Sequence, residues 1–198
     1  MNSPEYYLIE KAKEGDNQAL DEILIKEQKY VFNLMFQLTG NQADADDLTQ
    51  EAIIKAFQKL HDFRFESKFR TWLSKIAINL FLEKIRRNPP HSSICLDKIK
   101  VPSSEDTPER VVIKREMQWC IAHILQQHMP RKYRVVLILR DLQDFSYKEI
   151  SEILGWSIGK TKTRLHRARQ MFRNHLINGK CKAISQDYRC VCEGISEI

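Results

Sequence analysis

The chain has 198 residues, 42% of them hydrophobic and 29% charged, with a formal net charge of +6. That composition is that of an ordinary soluble protein of one or two small domains, six glycines argue against a β-rich fold, and the longest aliphatic run, Val135 to Leu139, is far too short to cross a bilayer. Residues 111–198 hold 16 Lys and Arg against 8 Asp and Glu while residues 1–87 hold 13 against 14, so a polyanion such as nucleic acid is the partner expected of the last part.

Helical periodicity dominates, and alternating runs are few. Ser3-Pro4 opens a first helix by cap and first-turn rules. EGDNQALDEILIKEQKYVFNLMFQLTG carries a second helix, ended by Gly40. The third, NQADADDLTQEAIIKAFQKL, has acids in its first turn and apolar positions at Leu48, Ala52, Ile53, Ala56, Phe57 and Leu60. The loop HDFRFESK leads to a fourth, FRTWLSKIAINLFLEKIRR, with a core-facing stripe of Phe69, Leu73, Ile76, Ala77, Leu80 and Ile85. Residues 88–110 are rich in Pro and Ser without a sustained period and read as a linker between two domains. Beyond it, Pro108 opens a helix through RVVIKREMQWCIAHILQQH, and Pro130 starts RKYRVVLILRDL.

FSYKEISEILGWS (145–157) then reads as a short helix and a turn. Ser146 and Glu149 fit a capping box, and Gly155 suits the left-handed residue that ends a helix. Ser157 caps SIGKTKTRLHRARQMFR, in which Ile158, Thr161, Leu165, Ala168, Phe172 and Leu176 share one face. Two rows of cations flank that face, Lys160, Arg164 and Arg167 on one edge and Lys162, Arg169 and Arg173 on the other. Opposite the apolar face lie Gly159, Thr163, His166 and Gln170, small or polar and uncharged. A helix in a DNA major groove needs cations where the phosphate backbones pass and uncharged polar groups facing the base edges. Helix, glycine turn and second basic helix make a helix-turn-helix with residues 158–173 in the recognition position.

Catalytic patterns are missing. The segment Gly155 to Thr161 imitates a phosphate-binding loop, but three residues separate its glycines where that loop has four, and a helix rather than a strand precedes it. No HExxH, Ser/His/Asp arrangement or paired catalytic carboxylates stand out, so the chain is read as a binding protein and not an enzyme. Without a cationic start followed by an apolar run, it is expected in the cytoplasm with no membrane insertion. The five cysteines, Cys95, Cys120, Cys181, Cys190 and Cys192, are odd in number and point to thiols or metal ligands rather than a disulfide framework. Three of them, Cys181, Cys190 and Cys192, crowd the tail and could hold zinc or another soft metal, although a closed tetrahedral site needs a fourth ligand. No other cofactor is required.

Four stretches in this order resemble the extracytoplasmic-function (ECF) sigma factors of bacterial RNA polymerase: DADDLTQEAIIKAF (44–57), FRFESKFRTWLSKIAINLFLEKIRR (63–87), MPRKYRVVLILRDLQDFSYKEISEILGWS (129–157) and GKTKTRLHRAR (159–169). The resemblance spans roughly residues 5–177. It implies an all-α protein of two small helical domains: a region 2 domain at 1–87, a linker at 88–110, a region 4 helix-turn-helix domain at 111–177 and a cysteine-containing tail at 178–198. The implied partners are core RNA polymerase and promoter DNA, with room for an anti-sigma factor.

By the same resemblance, Asp47, Gln50 and Glu51 meet the polymerase. The −10 element falls to Phe63, Arg64, Phe65, Lys68, Trp72, Asn79, Arg86 and Arg87, with Lys84 near the backbone. The −35 element falls to Lys160, Lys162, Thr163, Arg164, His166, Arg167 and Arg169. Helical geometry independently puts Thr163 and His166 at the centre of the exposed stripe, but Lys162 and Arg167 at its flanks, from which they can reach bases or phosphates. An autonomous helix-turn-helix regulator, the alternative reading, accounts for residues 111–177 but not for DADDLTQEA or the aromatic and basic loop 61–68.

Overall fold

The computed structural model describes residues 4–87, 117–118 and 120–178, and all regular structure among them is helical. The chain divides into two compact units, Met1–Ser93 with Lys148–Trp156, and Ile94–Tyr147 with Ser157–Ile198.

The first unit contains α1 (Pro4–Lys13), α2 (Asn17–Thr39), α3 (Gln42–Gln58), a 3₁₀ turn (Leu60–Asp62) and α4 (Phe69–Arg87). Local chemistry sets these ends. Asp16 accepts from the backbone N–H groups of Gln18 and Ala19 at 2.9 and 3.1 Å, using donors that the first turn of α2 leaves over. Gly40, at φ 68, ends α2 in the left-handed conformation, and the Asn41 side chain then caps α3. Helix α2 lies against α1, α3 and α4, and α3 also packs on α4. Val31, Leu34, Met35, Leu38, Ala52, Ala77 and Ile78 lose all their accessible surface there.

Two partners explain a departure in α4. Phe69, Leu73, Ala77 and Leu80 are buried as the stripe predicts, but Ile76 and Ile85 are only half-buried, and Ile78 and Phe81 are buried instead. A helix packed against two neighbours buries a band wider than one stripe. The same interior holds a charge: Glu27, 2% exposed, receives a two-pronged hydrogen bond from Arg70 at 2.9 and 3.0 Å. The Arg70 guanidinium lies 4.4 Å from the Tyr30 ring centre, and the Tyr30 hydroxyl is 2.8 Å from Ser74 Oγ.

In the second unit a π-helical turn, Ile124–His128, precedes α5 (Arg131–Leu137), which continues into a second π-helical turn, Ile138–Leu142. Pro130 occupies the N-cap position of α5, where a missing N–H does no harm. The aliphatic run Val135 to Leu139 is buried throughout and forms the spine of this unit. Half-buried Arg134 precedes it and donates to the carbonyls of Gln126 and Met129 at 2.9 and 3.3 Å, satisfying acceptors at the end of the first π-helical turn. Desolvation, helped by nearby Arg131, pulls its pKa down to about 10.

Helices α6 (Tyr147–Leu154) and α7 (Ile158–Asn178) follow along the chain, joined by a turn in which Gly155 has φ 63. They give the expected order of helix, glycine turn and helix. Helix α6 groups with the first unit by its contacts, whereas the sequence boundaries put it with α7. Its Glu149 lies 3.2 Å from Lys68 Nζ and accepts from Thr71 Oγ1 at 3.4 Å. The helix read from Pro108 lies outside the described residues up to residue 116.

Candidate nucleic-acid interface

Helix α7 has the polarity its spacing predicts. The Ser157 hydroxyl accepts from the N–H of Lys160 at 3.3 Å, capping the first turn. Thr161, Leu165 and Ala168 are buried, and the hydroxyl of Thr161 is satisfied by the Ser157 carbonyl at 3.1 Å. Phe172 and Leu176 are half-buried, and Ile158, the first residue of the helix, is exposed. Gly159, Thr163, His166 and Gln170 all face outward, as do Lys160, Lys162, Arg167 and Arg173, while Arg164 is half-buried. The Thr163 hydroxyl donates to the Gly159 carbonyl at 3.0 Å, so its lone pairs stay directed outward as acceptors.

Arg169, expected near phosphates, also has a partner within the chain. Its Nε and Nη2 bind the two carboxylate oxygens of Asp141 at 3.1 and 2.6 Å, and this bond raises its pKa further. The fork is thus occupied, and it ties α7 to the second π-helical turn. Asp141 lies 28 residues earlier, so no helical spacing on α7 could signal the pair.

The loop after the 3₁₀ turn is aromatic and basic, but its rings differ in access. Phe63, 2% exposed, belongs to the core: it packs on Phe65, Trp72 and Phe69 with ring centres 4.8, 5.3 and 5.5 Å away. It supports the loop from beneath and presents no open face to a base. Phe65 and Trp72 are half-buried, and Arg64 and Asn79 are exposed. Lys68 is exposed apart from its ion pair with Glu149. Arg86 and Arg87 are exposed at the end of α4, with Arg87 paired to Glu83. Arg70, cationic and close in sequence, is committed to Glu27, and Lys84 lies 2.7 Å from Asp44 and 3.7 Å from Asp47.

Asp47, Gln50 and Glu51 are exposed on one face of α3, with Glu51 paired to Lys55 at 3.1 Å. Ile54 shares this face at helical spacing and is 56% exposed. The spacing of α3 leaves Ile54 off the core-facing stripe, and the family resemblance names only its polar neighbours. An exposed apolar residue bordered by polar ones matches the apolar centre and polar rim of a protein interface.

Cys120 is buried and disulfide-bonded, against the expectation of thiols or metal ligands. Cys95, Cys181, Cys190 and Cys192 lie outside the described residues. Among the described residues, no group of three or more His, Cys, Asp or Glu is arranged to hold a metal ion, and no helix is long and apolar enough to cross a membrane.

Sigma-70 region 2 matches residues 24–89, and Sigma-70, region 4 matches residues 125–172. The chain is 32% identical over 184 residues to the ECF RNA polymerase sigma factor SigW of Bacillus subtilis (strain 168), covering 85% of this chain and 94% of that protein. Over 178 residues it is 30% identical to the ECF RNA polymerase sigma-E factor of Escherichia coli (strain K12), covering 84% and 91%. Its fold is similar to that of CnrH in complex with the cytosolic domain of CnrY, with a TM-score of 0.65, 21% identity and coverage of 87% and 97%. It is also similar to sigma factor RpoE in complex with the anti-sigma factor NepR from Bartonella quintana, with a TM-score of 0.58, 21% identity and coverage of 81% and 97%.

Proposed function

Because the chain belongs to the ECF RNA polymerase sigma factors, we propose that it divides promoter recognition between α7, which reads the −35 element, and the loop 61–68 with α4, which captures the opened −10 strand. Such factors act with core polymerase and carry out no catalytic step of their own. The observation that supports the −35 assignment best is α7 itself, with a buried Thr161/Leu165/Ala168 face and a Thr163/His166/Gln170 strip pointing the other way between cations. Lys160, Lys162, Arg164 and Arg167 then neutralise phosphates, and Lys162 and Arg167 are long enough to reach base edges as well.

For the −10 strand, Phe65 and Trp72 supply ring surface, Asn79 an amide, and Arg64, Lys68, Arg86 and Arg87 positive charge. Stacking plus phosphate neutralisation is what an unstacked single strand requires. The α3 face of Asp47, Gln50, Glu51 and Ile54 receives the polymerase. The site of action is the cytoplasm, where the polymerase works. An anti-sigma factor, the partner named for the Bartonella quintana RpoE, is the proposed negative regulator. For the tail thiols, roughly one metal ion per purified chain is expected, lost in a Cys181, Cys190 and Cys192→Ser variant.

Run-off transcription on genomic promoter fragments tests the assignment. Core polymerase alone and the protein alone should give no specific transcripts, and the two together should. Tight site-specific DNA binding by the protein alone, with no transcript from the combination, would instead favour an autonomous regulator.

A further inference from the structure

Phe65 adopts φ 58, a left-handed conformation that favours glycine and that a bulky side chain rarely keeps without support. The support comes from α1, far earlier in the chain. The Tyr6 ring stacks on Phe65 with centres 3.9 Å apart and planes at 27°. Lys13 Nζ sits 5.2 Å from the centre of the Phe65 ring and donates to the Phe63 carbonyl at 2.8 Å. Buried Phe63 closes the third side at 4.8 Å. Exposed Arg64 is therefore flanked by a backbone carbonyl held by Lys13 at Phe63 and by a ring held by Tyr6 at Phe65. Both α1 residues precede residue 24 and lie outside the span matched by Sigma-70 region 2.

We propose that Tyr6 and Lys13 are positioning residues of the single-strand site: they hold Phe65 in its left-handed conformation and thereby fix the loop that receives an unstacked base. This rests on the reading of loop 61–68 as the −10 site. Tyr6 covers one face of Phe65, so a base entering the loop meets a ring already oriented, and Lys13 keeps a cation beside it. Ordering the loop in advance removes an entropic penalty that a free loop would incur on binding DNA.

The test uses holoenzyme assembled from core polymerase and the full chain, with fork-junction DNA carrying 2-aminopurine at successive positions of the exposed −10 strand. Fluorescence reports unstacking of the probe base, and dissociation of the fork reports affinity. Tyr6→Ala should weaken fork binding by about three- to ten-fold, the scale of one aromatic pair. It should lower the probe signal at one position while leaving binding to a −35 duplex unchanged. Tyr6→Phe should restore both readouts, and Lys13→Met should act in the same direction as Tyr6→Ala. Wild-type fork binding by Tyr6→Ala and Lys13→Met, when Arg64→Ala and Phe65→Gly weaken it, would overturn the positioning role and leave the loop assignment standing. Wild-type behaviour of all four would remove the loop assignment and this inference with it. Circular dichroism of each free variant separates loss of fold from loss of function, and the Tyr6→Phe comparison keeps the test valid if Tyr6→Ala unfolds.

Discussion

Gly159 lies in the first turn of α7, and a methyl group added at its Cα would meet nothing within 4 Å. Its φ is not left-handed, so neither packing nor backbone geometry within the chain requires glycine there. Alanine would favour the helix by up to about 1 kcal/mol. The outward strip gives the remaining reason: a missing side chain lets a DNA backbone approach closely. Gly159→Ala is therefore expected to raise the melting temperature while weakening −35 duplex binding, measured on one preparation by thermal unfolding and fluorescence anisotropy. Undiminished binding would mean that this turn does not approach DNA. His166→Ala should differ in kind, changing the preference among −35 sequences with little effect on stability, because a groove-facing side chain discriminates bases. The outward strip was legible in the sequence because helical spacing alone defines it. The engagement of Arg169 and the burial of Phe63 were not, since each depends on a partner that folding, rather than spacing, brings near.

At the scale of elements, the buried pair between α2 and α4 is where a single change should act most strongly on the first unit. Glu27→Ala removes the acceptor of Arg70, whose side chain is 44% exposed and can turn to water. The expected loss is about 1–3 kcal/mol in urea unfolding, below the roughly 3–5 kcal/mol typical when a fully buried charge is stranded. Beside it, burial pushes the Tyr30 hydroxyl up to about 12, with Ser74 and Arg70 acting in the opposite direction. The folded state thus holds this proton more tightly than the unfolded chain, whose tyrosine titrates near about 10. The corresponding stability is complete below about pH 10 and is lost as pH rises through about 12. Tyr30→Phe should flatten that part of the stability profile relative to wild type. In the second unit, Asp141→Asn should loosen the attachment of α7 and weaken −35 binding equally across sequences, since it alters placement rather than base contact. Anisotropy titrations on matched and mismatched duplexes distinguish this from the His166→Ala result. Helix ends were readable from Gly40, Gly155 and Ser157, whose capping chemistry is local. The two π-helical turns were not, because the spacing of their residues does not distinguish them from an α-helix.

For the whole molecule, the uneven charge along the chain and the exposed face of α3 imply two surfaces with different energetics. The proposed DNA binding through α7 relies on cations and should weaken with salt, as counterions released on binding are recaptured. Removing one phosphate contact, as in Arg167→Ala, should reduce the magnitude of the slope of log K against log salt by about 1. The proposed polymerase face combines exposed Ile54 with Asp47, Gln50 and Glu51, so an apolar contact is expected at its centre. Ile54→Ser should therefore weaken core polymerase binding by about ten-fold, roughly the worth of a buried aliphatic side chain, with little change in the salt slope. Gln50→Ala and Glu51→Ala should weaken polymerase binding without lowering the helix content of the free protein; if they unfold it, those residues serve the fold instead. The two functions should then separate: Ile54→Ser keeps −35 duplex binding, and Arg167→Ala keeps polymerase binding. Because the residues lie in different units, the double variant should lose transcription by the sum of the two free energies. A loss well beyond that sum in run-off assays would mean that polymerase binding changes how α7 meets DNA, and the two surfaces could no longer be treated as independent.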